Sequence, residues 1–306
     1  MRRLLVTGAS GLLGLPLALD ATRAGYAVTG VVNSHRLNNP PFAQIAVDFS
    51  EPGCAAALLE QSAPDVVVHC AALANLDTAE KDPGLARRMN TELPGELADE
   101  TARRSIRLVH ISTDQVFDGA RGNYQEDDEP NPLGVYARTK LEGEKAVLSA
   151  NPRAAVARVV FYGWSLSGRR SLAEFFYNNL AAGSPVKGFT DVFFCPLQVN
   201  ELVRLLMKIA ESGLSGLYHT VSRESLSKYA FGVAIARRFG LDEGLVQPTS
   251  VMDAGLAARR SPNLTLRVDK LQSALGYPLP GQAEGLDRFY TQRLENYPEF
   301  LHSLGQ

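Results

Sequence analysis

Tyr136 and Lys140 stand four residues apart in Tyr136-Ala-Arg-Thr-Lys140, within a stretch rich in Ala, Leu, Glu and Lys that favours a helix over about 134–149. Residues i and i+4 share one helix face, so phenol and ammonium project side by side. An ammonium close to a phenol favours the phenolate, lowering its pKa from about 10 toward neutrality so that it exchanges a proton with a carbonyl or alcohol oxygen. Thr113, after the apolar run Arg107 to Ser112, offers a hydroxyl to the same oxygen. An isolated Tyr-x-x-x-Lys also fits a half-buried tyrosine beside a solvated lysine. Ser112 and Thr113 at a strand end ahead of the helix favour the chemical reading.

Such chemistry needs a partner reagent, and the N-terminus holds a place for one. The run Leu4 to Val6 empties into glycines at Gly8, Gly11 and Gly14, ahead of the helical pattern Leu12, Leu13, Leu15, Leu17 and Ala18. A helix start carries unpaired N–H groups at the positive end of its dipole, which suits a pyrophosphate. Gly8 permits the turn, Gly11 lets backbone approach phosphate, and Gly14 lets the helix pack on its strand. Ser10 and Leu12 lie in the same turn and are counted among the cofactor contacts. Similar spacings occur in ordinary turns; the place right after the first strand is what favours a dinucleotide.

The second strand ends in Val32-Asn33-Ser34-His35-Arg36 without a carboxylate for a ribose 2'-hydroxyl. Ser34, His35 and Arg36 suit a 2'-phosphate, with Asn33 beside them among the cofactor contacts, so NADP(H) is favoured and NAD(H) remains open, although polar residues are common after strands. Lys140 also suits the hydroxyls of a nicotinamide ribose. Asp48 suits either the adenine amine or a cap for the helix after Pro52. Ala71 and Ala72 end the fourth strand and suit close passage of a cofactor, or packing under the next helix. His69 reads as an interior histidine. Asn90, a poor helix former, is expected to tie two strand ends together beneath the cofactor.

These residues call for an α/β fold, a Rossmann-type doubly wound parallel sheet. Strands are expected over 4–7, 27–32, 44–47, 66–70, 107–112 and 155–160, with helices over about 12–24, 53–62, 84–104 and 134–149. Residues 1–163 form the dinucleotide-binding domain. Residues 164–306 form mainly a smaller substrate-binding region, from which later segments are free to return to the sheet. There, helices are expected over about 170–182, 198–211 and 225–239, with a short strand at Gly216 to His219. A short strand from 264, a small helix from Val268 and a closing helix over about 281–294 follow.

The chain has 306 residues, enough for a large core. With 31 basic and 33 acidic side chains, net charge −2, nothing in its balance points to nucleic acid or an anionic membrane. Cys54, Cys70 and Cys195 include no Cys-x-x-Cys pair and read as buried free thiols in a reducing compartment. No apolar run reaches a bilayer's span, and the expected location is the cytoplasm. No residues have metal-ligand spacing. The acidic loop Glu126 to Glu129 reads as a solvated face or a subunit contact in a homodimer.

The combination TGASGLLG, STDQVFDG, EDDEPNPLGVYARTKLEGE and RVVFYG resembles the extended short-chain dehydrogenase/reductases and, within them, the dTDP-4-dehydrorhamnose reductase group. The resemblance covers nearly the whole chain and thins beyond residue 165. It implies Thr113, Tyr136 and Lys140 as the active residues, with Gly8, Gly11, Gly14, Asp48, Ala71, Ala72, Asn90 and Ser112 around the cofactor. It also implies reduction of the 4-keto group of a nucleotide-linked deoxysugar by NADPH or NADH. Asp114, Gln115 and Asp191, with Phe193 and Phe194, would stand near the sugar and nucleotide; for the last three, a turn carboxylate and two core aromatics is the plainer reading. Arg260, with Arg259 ahead of Ser261-Pro262, resembles the group's arginine-proline turn, a pyrophosphate contact. Gln115 replaces the group's usual tyrosine, and Ala137 its usual glycine. Some relatives have lost catalysis and act as regulatory subunits, notably the beta subunit of methionine adenosyltransferase. A 4-epimerase uses the same frame, whereas dehydratases usually carry Asp-Glu where this chain has Asp114-Gln115.

Overall fold

Short apolar runs alternate with amphipathic helices from the first residues onward, and the computed structural model, which describes residues 1–33, 35–254 and 261–305, folds them into one parallel sheet. In chain order the first half comprises β1 (Arg3–Thr7), α1 (Gly14–Arg23), β2 (Ala27–Val32), β3 (Ala43–Ala46), α2 (Cys54–Ser62), β4 (Val66–His69), α3 (Leu76–Lys81), α4 (Pro83–Arg87), α5 (Leu93–Arg103), β5 (Arg107–Thr113), α6 (Val135–Ala150) and β6 (Ala155–Val159). Their ends lie within one residue of the six expected strands. The second half adds β7 (Phe161–Tyr162), α7 (Leu172–Ala181), β8 (Val186–Phe189), β9 (Phe193–Phe194), β10 (Leu197–Gln198), α8 (Val199–Ser212), β11 (Gly216–His219), β12 (Leu226–Ser227), α9 (Lys228–Phe239), β13 (Val246–Thr249), α10 (Asp269–Leu275), α11 (Gln282–Leu294) and α12 (Tyr297–Ser303).

The sheet order is β11-β6-β5-β4-β1-β2-β3. Chain direction across the sheet reverses between β1 and β4, the crevice where open parallel sheets bind ligands. Both faces are covered, which is why the strands read as nearly continuous apolar runs. Leu5, Val67, Leu108 and Val156 pack against α2, α5 and α6, while Leu4, Val6, Val66 and Val109 face the layer that includes α1 and α8. The seventh strand comes from the later chain: Gly216 to His219 pairs in parallel with Ala155 to Arg158.

The helix expected over about 84–104 runs from Pro83 to Arg103, with a π-helical turn at Arg88–Glu92 between α4 and α5. Three expectations are corrected. Asn90 sits in that turn, its Oδ1 accepting from Leu73 N at 2.9 Å and its Nδ2 donating to Leu73 O and to Thr139 Oγ1 at 3.2 and 3.1 Å. It therefore ties the loop after β4 to α6 rather than joining two strand ends. A Cβ on Gly143 of α6 would lie 2.0 Å from Asn90 O, so only glycine allows this approach. No strand starts at 264; the chain there makes two isolated bridges, Phe193 to Asn263 and Tyr124 to Leu266. Glu126, in the acidic loop, is drawn inward and accepts from His219 N at 2.9 Å, which pins that loop to β11.

The later region is held to the sheet through aromatic packing. Trp164 stacks on Phe289 at 4.1 Å and donates to Phe289 O at 3.0 Å, and Tyr162 meets Phe231 edge-on at 4.9 Å. Ser171 and Glu174 form a capping box, so α7 begins at Leu172. Cys54, Cys70 and Cys195 are free thiols.

Candidate active site

Thr113 ends β5, and Tyr136 opens the first turn of α6, where both face the crevice above the sheet. No side chain caps α6 at Gly134; Glu80 of α3 supplies the acceptor instead, taking Val135 N at 2.7 Å. Tyr136 is half-buried, and the Thr113 hydroxyl lies close enough to act on its phenol. Thr113 Oγ1 lies 3.1 Å from Asp114 Oδ1 and accepts from Gln115 N at 3.2 Å. The structure thus brings Thr113, Asp114, Gln115 and Tyr136 together.

Lys140 is also close, one turn further on, but its ammonium does not depress the phenol as expected. Burial pushes Tyr136 up to about 12, with the Thr113 hydroxyl opposing and the Asp114 charge adding to the rise. The reason is directional: Lys140 Nζ donates to Ile111 O at 2.7 Å and lies 3.4 Å from His110 Nε2. Its own pKa falls to about 8 through burial, which Glu144 and Cys70 partly offset. At neutral pH Tyr136 is a protonated phenol, the state from which an acid donates.

The glycine turn fits a pyrophosphate. Gly8 has φ +68°, and a Cβ there would meet Ala71 N at 3.0 Å. A Cβ on Gly14 would lie 2.2 Å from Gly8 O, so α1 packs tightly on the turn it follows. No side chain caps the helix at Leu13, which leaves N–H groups beside half-buried Ser10, Gly11 and Leu12. Thr7 Oγ1 accepts from Ala71 N at 3.1 Å, so Ala71, with Ala72 next to it, closes the floor between β1 and β4. Asn33 and Arg36 are exposed beyond β2, where an adenosine ribose would lie.

Other expected contacts are placed differently. Ser112 donates its hydroxyl to Glu144 Oε1 at 2.5 Å and is buried beneath α6, so its side chain is turned from the cofactor edge. Asp48 accepts from Ser50 N and Oγ at 2.9 and 2.7 Å, whereas α2 is capped by Gly53; the capping role is corrected because the Ser50 turn satisfies the carboxylate. Asp191 is a turn carboxylate, bonded to Ser250 Oγ at 2.6 Å and Val251 N at 2.9 Å. Ser34, Arg259 and Arg260 lie outside the described residues.

A cavity of about 740 Å³ opens beside Tyr136. Its walls are mostly apolar, with Leu133, Val160, Phe161, Phe193, Phe194 and Leu264 prominent, and Asp114, Gln115 and Lys228 supply polar groups. Phe193 and Phe194 are thus the wall aromatics that Asp191 was expected to accompany. A smaller hollow near Arg3, Asp65 and Arg104 opens at the opposite, amino-terminal edge of the strands, away from all these groups. Among the described residues, no group of three His, Cys, Asp or Glu could hold a metal, and no helix is long and apolar enough to cross a membrane.

Burial raises Asp114 to about 7 from 3.8, opposed by the Thr113 hydrogen bond and the Lys228 charge. Between those values the folded chain holds a proton that the unfolded chain has released, so stability falls as pH rises from about 4 to about 7 and then levels. Asp114→Asn is expected to remove that slope and to gain stability of the order of a few kcal/mol above pH 7. Urea unfolding at several pH values checks this; an unchanged slope in the variant would contradict the buried acid.

Four residues of this site carried no clear mark in the chain. Glu80 caps α6 from a distant helix; the only hint is Gly134, which cannot cap. Lys228 arrives with α9, and Arg170 Nη1 reaches Ser10 O at 3.5 Å from the loop before α7. His110 is hidden in an ordinary strand.

Known proteins resemble this chain in sequence and fold. The RmlD substrate binding domain family matches residues 1–294. The chain is 34% identical over 280 residues to a probable low-salt glycan biosynthesis reductase of Haloferax volcanii, covering 90% of this chain and 93% of that protein. It is 32% identical over 281 residues to methionine adenosyltransferase 2 subunit beta of Bos taurus, covering 89% and 82%. The crystal structure of dTDP-4-dehydrorhamnose reductase from Bacillus anthracis in complex with NADP superposes with a TM-score of 0.84 at 25% identity, covering 95% of this chain and 100% of that one. The chain is an oxidoreductase of the extended short-chain dehydrogenase/reductase type and belongs to the RmlD substrate binding domain family.

Proposed function

We propose that the protein reduces the 4-keto group of a nucleotide-linked deoxysugar, with NADPH preferred over NADH, as a dTDP-4-dehydrorhamnose reductase or close relative. The observation that carries this reading is the neighbouring pair of hydroxyls, Thr113 and Tyr136, with Tyr136 lining an apolar cavity on the same sheet edge as the glycine turn. The N–H groups from Ser10 to Gly14 would hold the dinucleotide's pyrophosphate, Arg36 its 2'-phosphate and Lys140 the ribose nearer the reaction. When bound, the cofactor supplies hydride. Thr113 and Tyr136 hold the substrate oxygen as negative charge develops on it, and Tyr136 Oη gives up its proton to that oxygen. The apolar walls suit a deoxysugar's methyl group and exclude water, and Gln115 faces the sugar where the group's tyrosine would stand. Asp114-Gln115, lacking a second carboxylate, disfavours elimination.

Purified protein mixed with NADPH and a panel of dTDP-4-keto sugars tests this by the loss of reduced-nicotinamide absorbance. Consumption with at least one member is the expected result. The similarity to methionine adenosyltransferase 2 subunit beta, together with Gln115, supports a second reading as a regulatory subunit. Tight NADPH binding without consumption across the panel would favour it, and reversible interconversion of two sugars without net loss of cofactor would favour a 4-epimerase.

A further inference from the structure

Beneath Lys140 a row of polar side chains crosses the sheet where its strands end. Thr7 is in register with His69, and His69 with His110, so three adjacent strands, β1, β4 and β5, present these side chains on one face. It is the face covered by α5 and α6, since Leu5, Val67 and Leu108, two residues earlier in each strand, pack there. Thr7 Oγ1 lies 2.7 Å from His69 Nδ1, the two rings stack with centroids 5.3 Å apart, and His110 Nε2 lies 3.4 Å from Lys140 Nζ. His69, His110 and Lys140 are all at most 2% exposed.

Two imidazoles in a dry strand layer are costly to keep without a purpose, because buried polar groups need partners. An ammonium has only donors, so His110 must accept through Nε2 and carry its proton on Nδ1. Burial and the Lys140 charge hold the ring well below its ordinary pKa, so it is a neutral acceptor. Two of the three ammonium hydrogens are thereby directed, to Ile111 O and to His110 Nε2. No other described group accepts the third. We propose that His110 is a positioning residue: with the Ile111 carbonyl it aims the Lys140 ammonium so that one N–H faces the ribose hydroxyls of the cofactor. This rests on the cofactor assignment above. The other titratable groups facing Lys140 are His69 and Cys70 from β4 and its following turn, and Glu144 and Tyr136 on its own helix; Glu144 is committed to Arg158.

The test is the pH dependence of NADPH binding, followed by nucleotide fluorescence, in the full chain and in His110→Phe and His110→Gln. In the unaltered protein affinity should fall as Lys140 loses its proton, at a pH near 8. Without an acceptor at position 110 the buried ammonium is less stable, so in His110→Phe the fall moves to lower pH by about one unit, and affinity drops about twofold at pH 7 and about tenfold at pH 9. His110→Gln, whose amide oxygen can accept, should stay within about threefold of the unaltered protein. Where phenylalanine overpacks the layer, His110→Leu carries the same expectation, and thermal unfolding confirms that each variant is folded. Tight binding with an unmoved profile in His110→Phe, or a glutamine variant as impaired as the apolar ones, overturns the positioning role alone. Absence of NADPH binding by the unaltered protein overturns it together with the cofactor assignment.

Discussion

Tyr136→Phe is expected to lower turnover of a dTDP-4-keto sugar by about a hundredfold or more, the usual worth of a positioned acid, while NADPH affinity changes little. The substitution removes one oxygen from a ring that otherwise keeps its packing at the start of α6. Burial holds that oxygen protonated beside the Thr113 hydroxyl, and a phenylalanine ring offers no proton in its place. Lys140 is turned to Ile111 O, and Asp114 is reached through Thr113. Single-turnover rates with the mutant and the parent protein measure the effect. Equal rates would remove Tyr136 from the chemistry and leave the cavity as a binding site only.

Glu144→Ala should cost about 3–5 kcal/mol of stability, a large part of what a domain of this kind possesses. Glu144 accepts from Arg158 Nε at 2.9 Å and Nη2 at 2.8 Å, and from Ser112 Oγ. Arg158 is 2% exposed and lies over the Phe117 ring at 4.9 Å. Its other hydrogen-bond partner among the described residues is His219 Nε2 at 3.4 Å; since a guanidinium only donates, that nitrogen accepts, and His219 Nδ1–H is left to donate to Arg267 O at 3.0 Å. Loss of Glu144 therefore leaves a guanidinium among β5, β6 and β11 without the carboxylate that pairs with it. Replacing both partners, as in Glu144→Leu with Arg158→Met, should cost clearly less than Glu144→Ala alone, because it is the uncompensated charge that destabilises. Urea unfolding of the single and double variants separates these cases. A Glu144→Ala midpoint close to that of the parent would show that water or rearrangement reaches Arg158.

The Glu144 cluster also shows why part of the site was not legible in the chain. Ser112 reads as a cofactor contact when judged by its place at a strand end. Strand alternation instead points it to the face opposite Thr113, and only the arrival of Glu144 from α6 settles what its hydroxyl does. Asp191 is similar: its side chain belongs to whichever donors come near, and the Ser250 hydroxyl and Val251 N–H come from far along the chain. The partners of Asn90 in the π-helical turn, Leu73 and Thr139, are ones that no local pattern names.

By itself the sequence determined the strand and helix order of the sheet half, the glycine turn and the spacing of Thr113, Tyr136 and Lys140. These follow from period, turn chemistry and the i, i+4 geometry of a helix, all of which act over a few residues. The tertiary structure decided what each polar group spends its hydrogen bonds on. It turned Lys140 toward Ile111 and His110, raised Tyr136 instead of lowering it, brought Glu80 to cap α6 and returned Gly216 to His219 to the sheet. The physical reason is that desolvation and hydrogen-bond partnership depend on neighbours in space, and in this fold those neighbours come from strands and helices tens of residues apart.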